Sequence, residues 1–503
     1  MKHMKKVLAC LLALVTMMSF VTGCGAPDDA GAGEGKDTLL YAYNGELGNL
    51  DPNMRNTNGA ILAAQSMFDT LFDPYTAEHA PRVATGYVCS DDGMEYTITL
   101  RDDVTFHDGT KVTAKDVKYS IENNAQSPLQ ATYSTGIAEV TVVDDQTVKV
   151  KLESPSGLLI YNLSNIYILP SELHASMTSE AFAEKPIGCG PYKFVSKDVS
   201  GEIVMEAYEE YYRGAAAIKN LKGYSYSDDY TRAIALENGE VDIARVGDQN
   251  AAVLKDNENF QLLICENNFV EYLILNNNTE PLNNPLVRQA IAYAVNRDMI
   301  VQAVVPESGF ANSIICAPSM EGYSADVPTY DYNPEKAKQL LAEAGITTPL
   351  DLGAFDVMAS NATIAEVVQS NLADIGINVT IQQSDVGAFF DLGANGGINI
   401  GFFGGGWGGS FGHLADILSA TTGTMNWSGY NSAEFDSAIA EAIATADPAE
   451  RAEGYKKALE IVQTDVPLVN LYGFGYVFGA DADLNAEVYV DGNMYFYDMS
   501  WKN

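Results

Sequence analysis

The residues best suited to chemistry in this 503-residue chain crowd into one stretch, Phe402-Phe403-Gly404-Gly405-Gly406-Trp407-Gly408-Gly409-Ser410-Phe411-Gly412-His413. Glycines 404, 406 and 409 satisfy G-x-G-x-x-G and follow a strand-like run, Ile398 to Phe403. A dinucleotide fingerprint also needs a capped amphipathic helix directly after the glycines, so that the pyrophosphate rests on its N-terminus, and none opens here. No lysine follows the glycines, which excludes a P-loop. Glycines that let a solute approach the backbone, beside an indole and a phenyl ring, fit a binding pocket instead. On residue type alone, Trp407 is equally suited to packing in a core.

Other chemistries lack their residues. Beyond the first 24 positions the histidines are His79, His107, His174 and His413, with no H-x-x-x-H pair, so side chains alone build no metal cage. H-E-x-x-H does not occur, and the G-x-S-x-G at Gly408 to Gly412 lies in a glycine run with no capped helix directly after it, as a nucleophile elbow would need, so the signatures of a secreted hydrolase are not met. Cys89, Cys189, Cys265 and Cys316 include no C-x-x-C, so a zinc knuckle is not expected; disulfides and buried thiols both stay open.

The elements that must position the glycine-rich stretch can be read from periodicity. In the first half, Thr38 to Tyr43 reads as a strand, and Tyr96, Ile98 and Leu100 alternate with polar residues as on a half-buried strand. Asp102-Asp103 is expected to turn into a second strand, Val104 to Phe106. Thr113 and Asp116 form a capping box that opens a helix through Ile121. A further hairpin turns at Asp144-Asp145, between Glu139 to Val142 and Thr147 to Leu152. The region from about 50 to 186 therefore reads as a mostly antiparallel α+β unit. In the second half, Asn333 caps a helix with Pro334 at its first position and Gly345 as its stop. An extended stretch Asp351 to Met358, a helix from about Ala362 to Asp374 and a strand Ile377 to Ile381 make a βαβ crossover, hence a parallel α/β sheet.

The start of the chain carries an address. Lys2, Lys5 and Lys6 precede an apolar run, Val7 to Phe20, that is short for a hydrocarbon layer of about 30 Å. Val21-Thr22-Gly23-Cys24 resembles a bacterial lipobox, in which the cysteine sulfur takes a diacylglyceryl group before cleavage. Residues 1–23 are thus expected to be a signal peptide. Residues 24–36, poor in anything to bury, would be a lipidated flexible tether on the extracytoplasmic face of the membrane. Two acyl chains hold much more firmly than one. The 29 basic and 67 acidic residues give a formal charge of −38, which speaks against nucleic acid, whose phosphates need clustered Lys and Arg. At 47% hydrophobic residues, the body can bury a large core divided among two or three domains.

Several blocks in order resemble one family. They are Leu50-Asp51-Pro52, Leu100 to Thr110 (LRDDVTFHDGT), Thr113 to Val117 (TAKDV), Pro186 to Tyr192 (PIGCGPY), Ala235 to Asp242 (ALENGEVD) and Val287 to Arg297 (VRQAIAYAVNR), with the helix near Pro334-Glu335-Lys336-Ala337 as a further landmark. Together they are similar to the family 5 extracellular solute-binding proteins, the peptide and nickel binding lipoproteins of ATP-binding-cassette importers.

That resemblance implies an α/β fold of the periplasmic-binding-protein kind: a clamshell of two lobes joined by hinge strands, plus an inserted α+β domain. Domain I would comprise residues 37–48, 187–273 and 475–503, domain II residues 49–186 and domain III residues 274–474. The hinge strands would lie near Tyr272 to Asn276 and Leu468 to Tyr472, and closure would trap the solute. The resemblance further implies a monomer without cofactor, whose partners are a small peptide or similar solute and a permease. At the solute it places Glu46 and Leu47 near the first strand, Tyr272 and Tyr472 of the hinge strands, and Trp407, Gly408, Gly409, Ser410, Phe411 and His413. Peptide-binding members carry an aspartate shortly after the tryptophan to hold the peptide's amino group, and here Ser410 takes that place. Asp416 or Glu46 are the substitutes at hand. A nickel or cobalt chelate is the alternative solute, with His413 completing its coordination.

Overall fold

Alternating apolar and polar residues become strands wherever one face can be buried, and the chain uses this rule to build one long sheet and one short one. The computed structural model describes residues 36–75, 79–266, 268–406, 408–489 and 492–502. Cys24 with its leader and Trp407 lie outside the described residues. In chain order the strands that frame the site are β1 (Thr38–Asn44), β2 (Ala84–Cys89), β3 (Glu95–Leu100), β4 (Ile137–Asp144), β5 (Thr147–Leu152), β6 (Tyr192–Lys197), β7 (Ile203–Ala207), β8 (Asn220–Tyr226), β9 (Ile243–Val246), β10 (Phe260–Glu266), β11 (Phe269–Leu275), β12 (Gly309–Ala311), β13 (Leu350–Met358), β14 (Ile377–Ser384), β15 (Ile400–Gly406) and β16 (Leu468–Asp481).

Twelve of them form one sheet in the order β14-β13-β15-β11-β16-β9-β1-β8-β7-β6, with β10 and β12 also paired to β16. The 14-residue β16 changes partners along its length. Leu468 to Tyr472 lie antiparallel to β11, Tyr472 to Phe474 to β12, and Gly475 to Asp481 to β10, with Val477 to Ala480 also on β9. Two chain segments, Phe260–Leu275 and Leu468–Asp481, thus carry the sheet from one half of the molecule into the other.

The α/β half follows its sequence pattern. Strands β13 and β14 pair in parallel, and the helix Ala362–Asp374 crosses between them. Asn333 accepts a hydrogen bond from the Lys336 amide, Pro334 stands in the first turn of the helix Pro334–Glu343, and Gly345 follows at φ +74°. Phe355, Val357, Leu372 and Ile377 close the core beneath, all fully buried. Each such side chain contributes roughly 1.5–3 kcal/mol on burial.

Strands β2-β3-β5-β4 form a separate antiparallel sheet. Tyr96, Ile98 and Leu100 point into its core, and the helix Ala114–Asn124 opens with the Thr113/Asp116 capping box. One expected strand is not there: Val104 to Phe106 makes a single bridge, Thr105 to Lys111. Its backbone is satisfied elsewhere, with the Phe106 amide on the Thr110 carbonyl and the His107 amide on the Gly188 carbonyl. The His107 ring fixes the same junction. Its Nδ1 accepts from the Gly188 amide at 3.2 Å and its Nε2–H donates to the Gly190 carbonyl at 3.0 Å. Burial pushes this imidazole down to about 4, so it stays neutral and structural.

Candidate functional site

A cavity of about 1180 Å³ opens where the short sheet faces the glycine-rich end of β15. One wall comes from lining residues between Arg55 and Tyr167, the other from residues 319–321, from Gly406, Gly408, Gly409, Ser410 and His413, and from the stretch Ala446 to Ala452, and Asn268 and Phe269 at the start of β11 form its floor. The first wall is rich in rings: Tyr75, Tyr87, Tyr96, Tyr133, Tyr161 and Tyr167 all border the space. Tyr87 and Tyr96 stand 5.7 Å apart, Tyr133 and Tyr161 6.5 Å, and His79 and Tyr161 5.6 Å between centroids. Tyrosine offers an apolar face and a phenol tip, which suits a solute with both peptide bonds and carbon side chains. The helix Asn58–Met67, capped by Thr57, turns Ile61 and Gln65 toward the cavity at i, i+4 spacing.

The opposite wall is mostly backbone. The Glu321 amide donates to the Gly409 carbonyl at 2.9 Å and the Phe411 amide donates to the Glu321 carbonyl at 2.8 Å, so the loop after β15 is pinned to a second segment. His413 lies over Ser410, with Nδ1 3.2 Å from the Ser410 hydroxyl. Burial pushes this imidazole down to about 4, against the opposing pull of the Ser410 carbonyl. It is therefore neutral at physiological pH.

The glycines of the stretch serve a purpose the sequence does not reveal. A Cβ on Gly404 would lie 1.8 Å from Glu271 Oε2, one on Gly408 2.5 Å from His413 Nδ1, and one on Gly412 2.5 Å from the Tyr455 hydroxyl. These three make room for the protein's own side chains. At Gly409, where the nearest neighbour of such a Cβ is the Tyr161 ring at 3.5 Å, the expected approach of a solute to bare backbone remains open. Glu271, buried under Gly404 on β11, has its carboxyl pushed up to about 8 by desolvation and keeps its proton at neutral pH.

The two walls already touch. Tyr161 and His413 meet with ring centroids 4.6 Å apart, and the Gly157 amide donates to the Ile443 carbonyl at 2.8 Å. Arg451 and Glu321 form an ion pair at 2.9 Å beside this contact, while Arg451 Nη1 donates to the Thr445 and Ala446 carbonyls.

Of the residues expected at the solute, Gly408, Gly409, Ser410 and His413 line the cavity together. Five others lie elsewhere. Tyr272 has the opposite parity to Phe269 on β11 and packs with Val270 and Ile274, while Tyr472 belongs to the core under the α/β half and Phe411 packs against Tyr455. Leu47 is buried with Tyr43 and Leu62, and Glu46 is exposed outside the cavity lining. Asp416 accepts from the Thr424 amide and hydroxyl through one carboxylate oxygen and is outside the cavity lining. Arg55, Tyr161, Glu321 and Arg451 were not legible as site residues, since folding brings them together from segments with no common motif.

Arg288 donates to the carbonyls of Leu282, Asp465 and Val466. The four described cysteines are free thiols. Among the described residues no cluster of three or more His, Cys, Asp or Glu could hold a metal, and no helix is long and apolar enough to cross a membrane.

Comparison with known proteins gives this geometry a context. The family model described as bacterial extracellular solute-binding proteins, family 5, middle, matches residues 78–429. The glutathione-binding protein GsiB of Salmonella typhi is 29% identical over 461 residues, covering 86% of this chain and 88% of that protein. Among solved structures, HbpA2 from Haemophilus parasuis is similar at a TM-score of 0.85 with 26% identity, over 93% of this chain and 100% of that one. DppA from Helicobacter pylori, solved in complex with the peptide STSA, gives a TM-score of 0.73 with 25% identity, over 93% of this chain and 99% of that one.

Proposed function

The chain belongs to family 5 of the bacterial extracellular solute-binding proteins, and from that premise we propose that its tyrosine-lined cavity captures a small peptide by closure of the two walls. Its general role is that of the family: an extracytoplasmic protein of periplasmic-binding-protein-like fold that captures a solute for an ATP-binding-cassette importer. The observation that carries the peptide reading is the cavity itself. About 1180 Å³ exceeds the space a single amino acid needs and leaves room for water around variable side chains. Its phenols and the pinned backbone at Gly409 provide hydrogen bonds that do not depend on peptide sequence.

In this reading the protein is a carrier and performs no reaction. Closure bends the sheet where β16 changes partner near Gly473, and the proposal keeps the three-part division at residues 48/49, 186/187, 273/274 and 474/475. Cys24 carries the lipid, the mature chain acts as a monomer, and the permease accepts the closed form. A nickel or cobalt chelate is the second reading, favoured by the neutral imidazole of His413 on the cavity wall next to Tyr161 and His79.

Native mass spectrometry of gently purified protein tests the solute. A retained mass matching a peptide, displaced by a peptide library with a rise in melting temperature, is the expected result; saturation at a hundredfold excess over Kd stabilises by about 2.7 kcal/mol. A retained metal chelate with no response to peptides would overturn it in favour of the second reading.

A further inference from the structure

The cavity's charge runs against that of the protein. The chain has a formal charge of −38, yet the described residues that line the cavity include two arginines, Arg55 and Arg451, and one carboxylate, Glu321, which is already paired with Arg451. Arg55 is left without a counter-ion: no carboxylate of the described residues lies within ion-pair distance of it. Its side chain is 8% exposed. Nη1 donates to the Pro52 carbonyl at 2.6 Å and Nη2 to the Asn165 carbonyl at 3.0 Å, and the guanidinium stacks 4.9 Å from the centre of the Tyr167 ring.

Other buried arginines show what a purely structural guanidinium looks like here. Arg288 and Arg297 also lack carboxylates, but both sit in closed cores and each makes four hydrogen bonds to backbone carbonyls. Arg55 makes two and borders open space. The cavity that Arg55 borders holds one carboxylate of the described residues, Glu321, and that one is taken by Arg451. A desolvated cation without a partner is costly, and a planar guanidinium held at two points offers a carboxylate a preset pair of donors.

We propose that Arg55 anchors a carboxylate of the solute, so that the cavity prefers peptides with a free carboxylate, whether at the C-terminus or on a side chain. This rests on the peptide reading above. The field of a locally cationic cavity inside an anionic protein would draw such a solute inward while the outer surface repels it, and salt screens these two opposing contributions together.

The carboxylate could belong to the peptide's C-terminus or to a Glu side chain, and two pairs of probes separate these sources. Calorimetry would compare Ala-Ala-Ala with its C-terminal amide, and Ala-Glu-Ala amide with Ala-Gln-Ala amide, on wild type, Arg55→Gln and Arg55→Lys. The expected result is a tenfold or larger preference for the carboxylate within at least one pair on wild type, abolished in Arg55→Gln and partly kept in Arg55→Lys, with the amide's own affinity little changed. Equal binding within both pairs, or a preference that survives Arg55→Gln, overturns the proposal while leaving the peptide reading intact. Should Arg55→Gln fail to fold, the wild-type pairs and Arg55→Lys decide the matter alone. Glutarate is the probe for the opposite case. If no peptide binds but glutarate raises the melting temperature of wild type and not of Arg55→Gln, the anion anchor stands and the peptide reading falls. If neither peptide nor glutarate has an effect, both fall.

Discussion

Tyr161 and His413 meet across the cavity, yet the walls behind them are made differently. Behind Tyr161 stand side chains that face the space: phenols, an imidazole and a guanidinium, carried on a sheet and helices with cores of their own. Behind His413 stands a loop whose glycines are filled from beneath by Glu271, His413 and Tyr455. On the first wall, half-buried rings such as Tyr133 and Tyr161 can change with little disturbance to their support, whereas Tyr96 and Tyr167 are also part of cores. The other wall is so tightly packed that its composition is fixed by the fold. Specificity should therefore reside on the tyrosine wall and integrity on the glycine wall.

Substitutions should break that contrast if it is false. The largest effect is expected from Gly404→Ala, where a Cβ would overlap the buried Glu271 carboxyl. Overpacking of this kind costs about 1–3 kcal/mol or more, and chemical denaturation should show it as a lower midpoint at unchanged slope. A variant as stable as wild type would mean that the glycine wall yields, and the contrast would be lost. Next in size is Tyr161→Ala, which removes the ring that meets His413 and Gly409. Calorimetry should record a loss of about 2 kcal/mol in solute affinity, with the melting temperature of the free protein moving far less than in Gly404→Ala.

The two buried titratable groups of the glycine wall sharpen the picture through pH, because their shifts have opposite senses. Glu271 rises from an ordinary 4.5 to about 8, so between those values the folded protein keeps a proton that the unfolded chain releases. Its contribution is complete below about 4.5 and declines as pH rises to about 8. His413 falls from 6.5 to about 4, so there the unfolded chain holds the extra proton, and stability is complete above 6.5 and declines as pH falls to about 4. Denaturation midpoints measured from pH 4 to 8.5 should then show that Glu271→Gln removes part of the decline on the alkaline side and His413→Gln part of that on the acid side. A Glu271→Gln profile parallel to wild type above pH 7 would contradict the assignment. The smallest effect is expected from Ser410→Ala. Since Ser410 stands where amine-binding relatives are expected to carry aspartate, neither this change nor acetylation of a peptide's N-terminus should alter affinity by more than about 1 kcal/mol. Loss of binding on acetylation would place the amine anchor elsewhere.

Much of the fold was legible because local signals agreed with global packing. The capping box at Thr113, the Asn333-Pro334 helix start and the alternation through Tyr96 to Leu100 each specify an element without help from distant residues. Val104 to Phe106 misled because its alternation is real but its hydrogen-bonding partners, Thr110 and Gly188, come from a turn and from a remote segment. The site was less legible. The glycine-rich run marks its own wall, but glycine cannot tell whether a solute or a neighbouring side chain occupies the vacated space. Tyr272 and Tyr472 carry ring chemistry on the inner faces of strands, and only the register decides which face looks into the cavity. Arg55 follows a proline turn in a segment whose sequence concerns the turn and not the solute.

Strand β16 also bears on how the molecule is made. It occupies residues 468–481 of 503, yet it lies in the middle of the sheet, and β10 and β12 have no other partner in it. Until the ribosome has released those fourteen residues, β9 and β11 each present an open edge, and open edges invite pairing with foreign strands. Neither half of the sheet can close before residues 468–481 have been made, so the chain is held back from finishing its fold until that strand emerges.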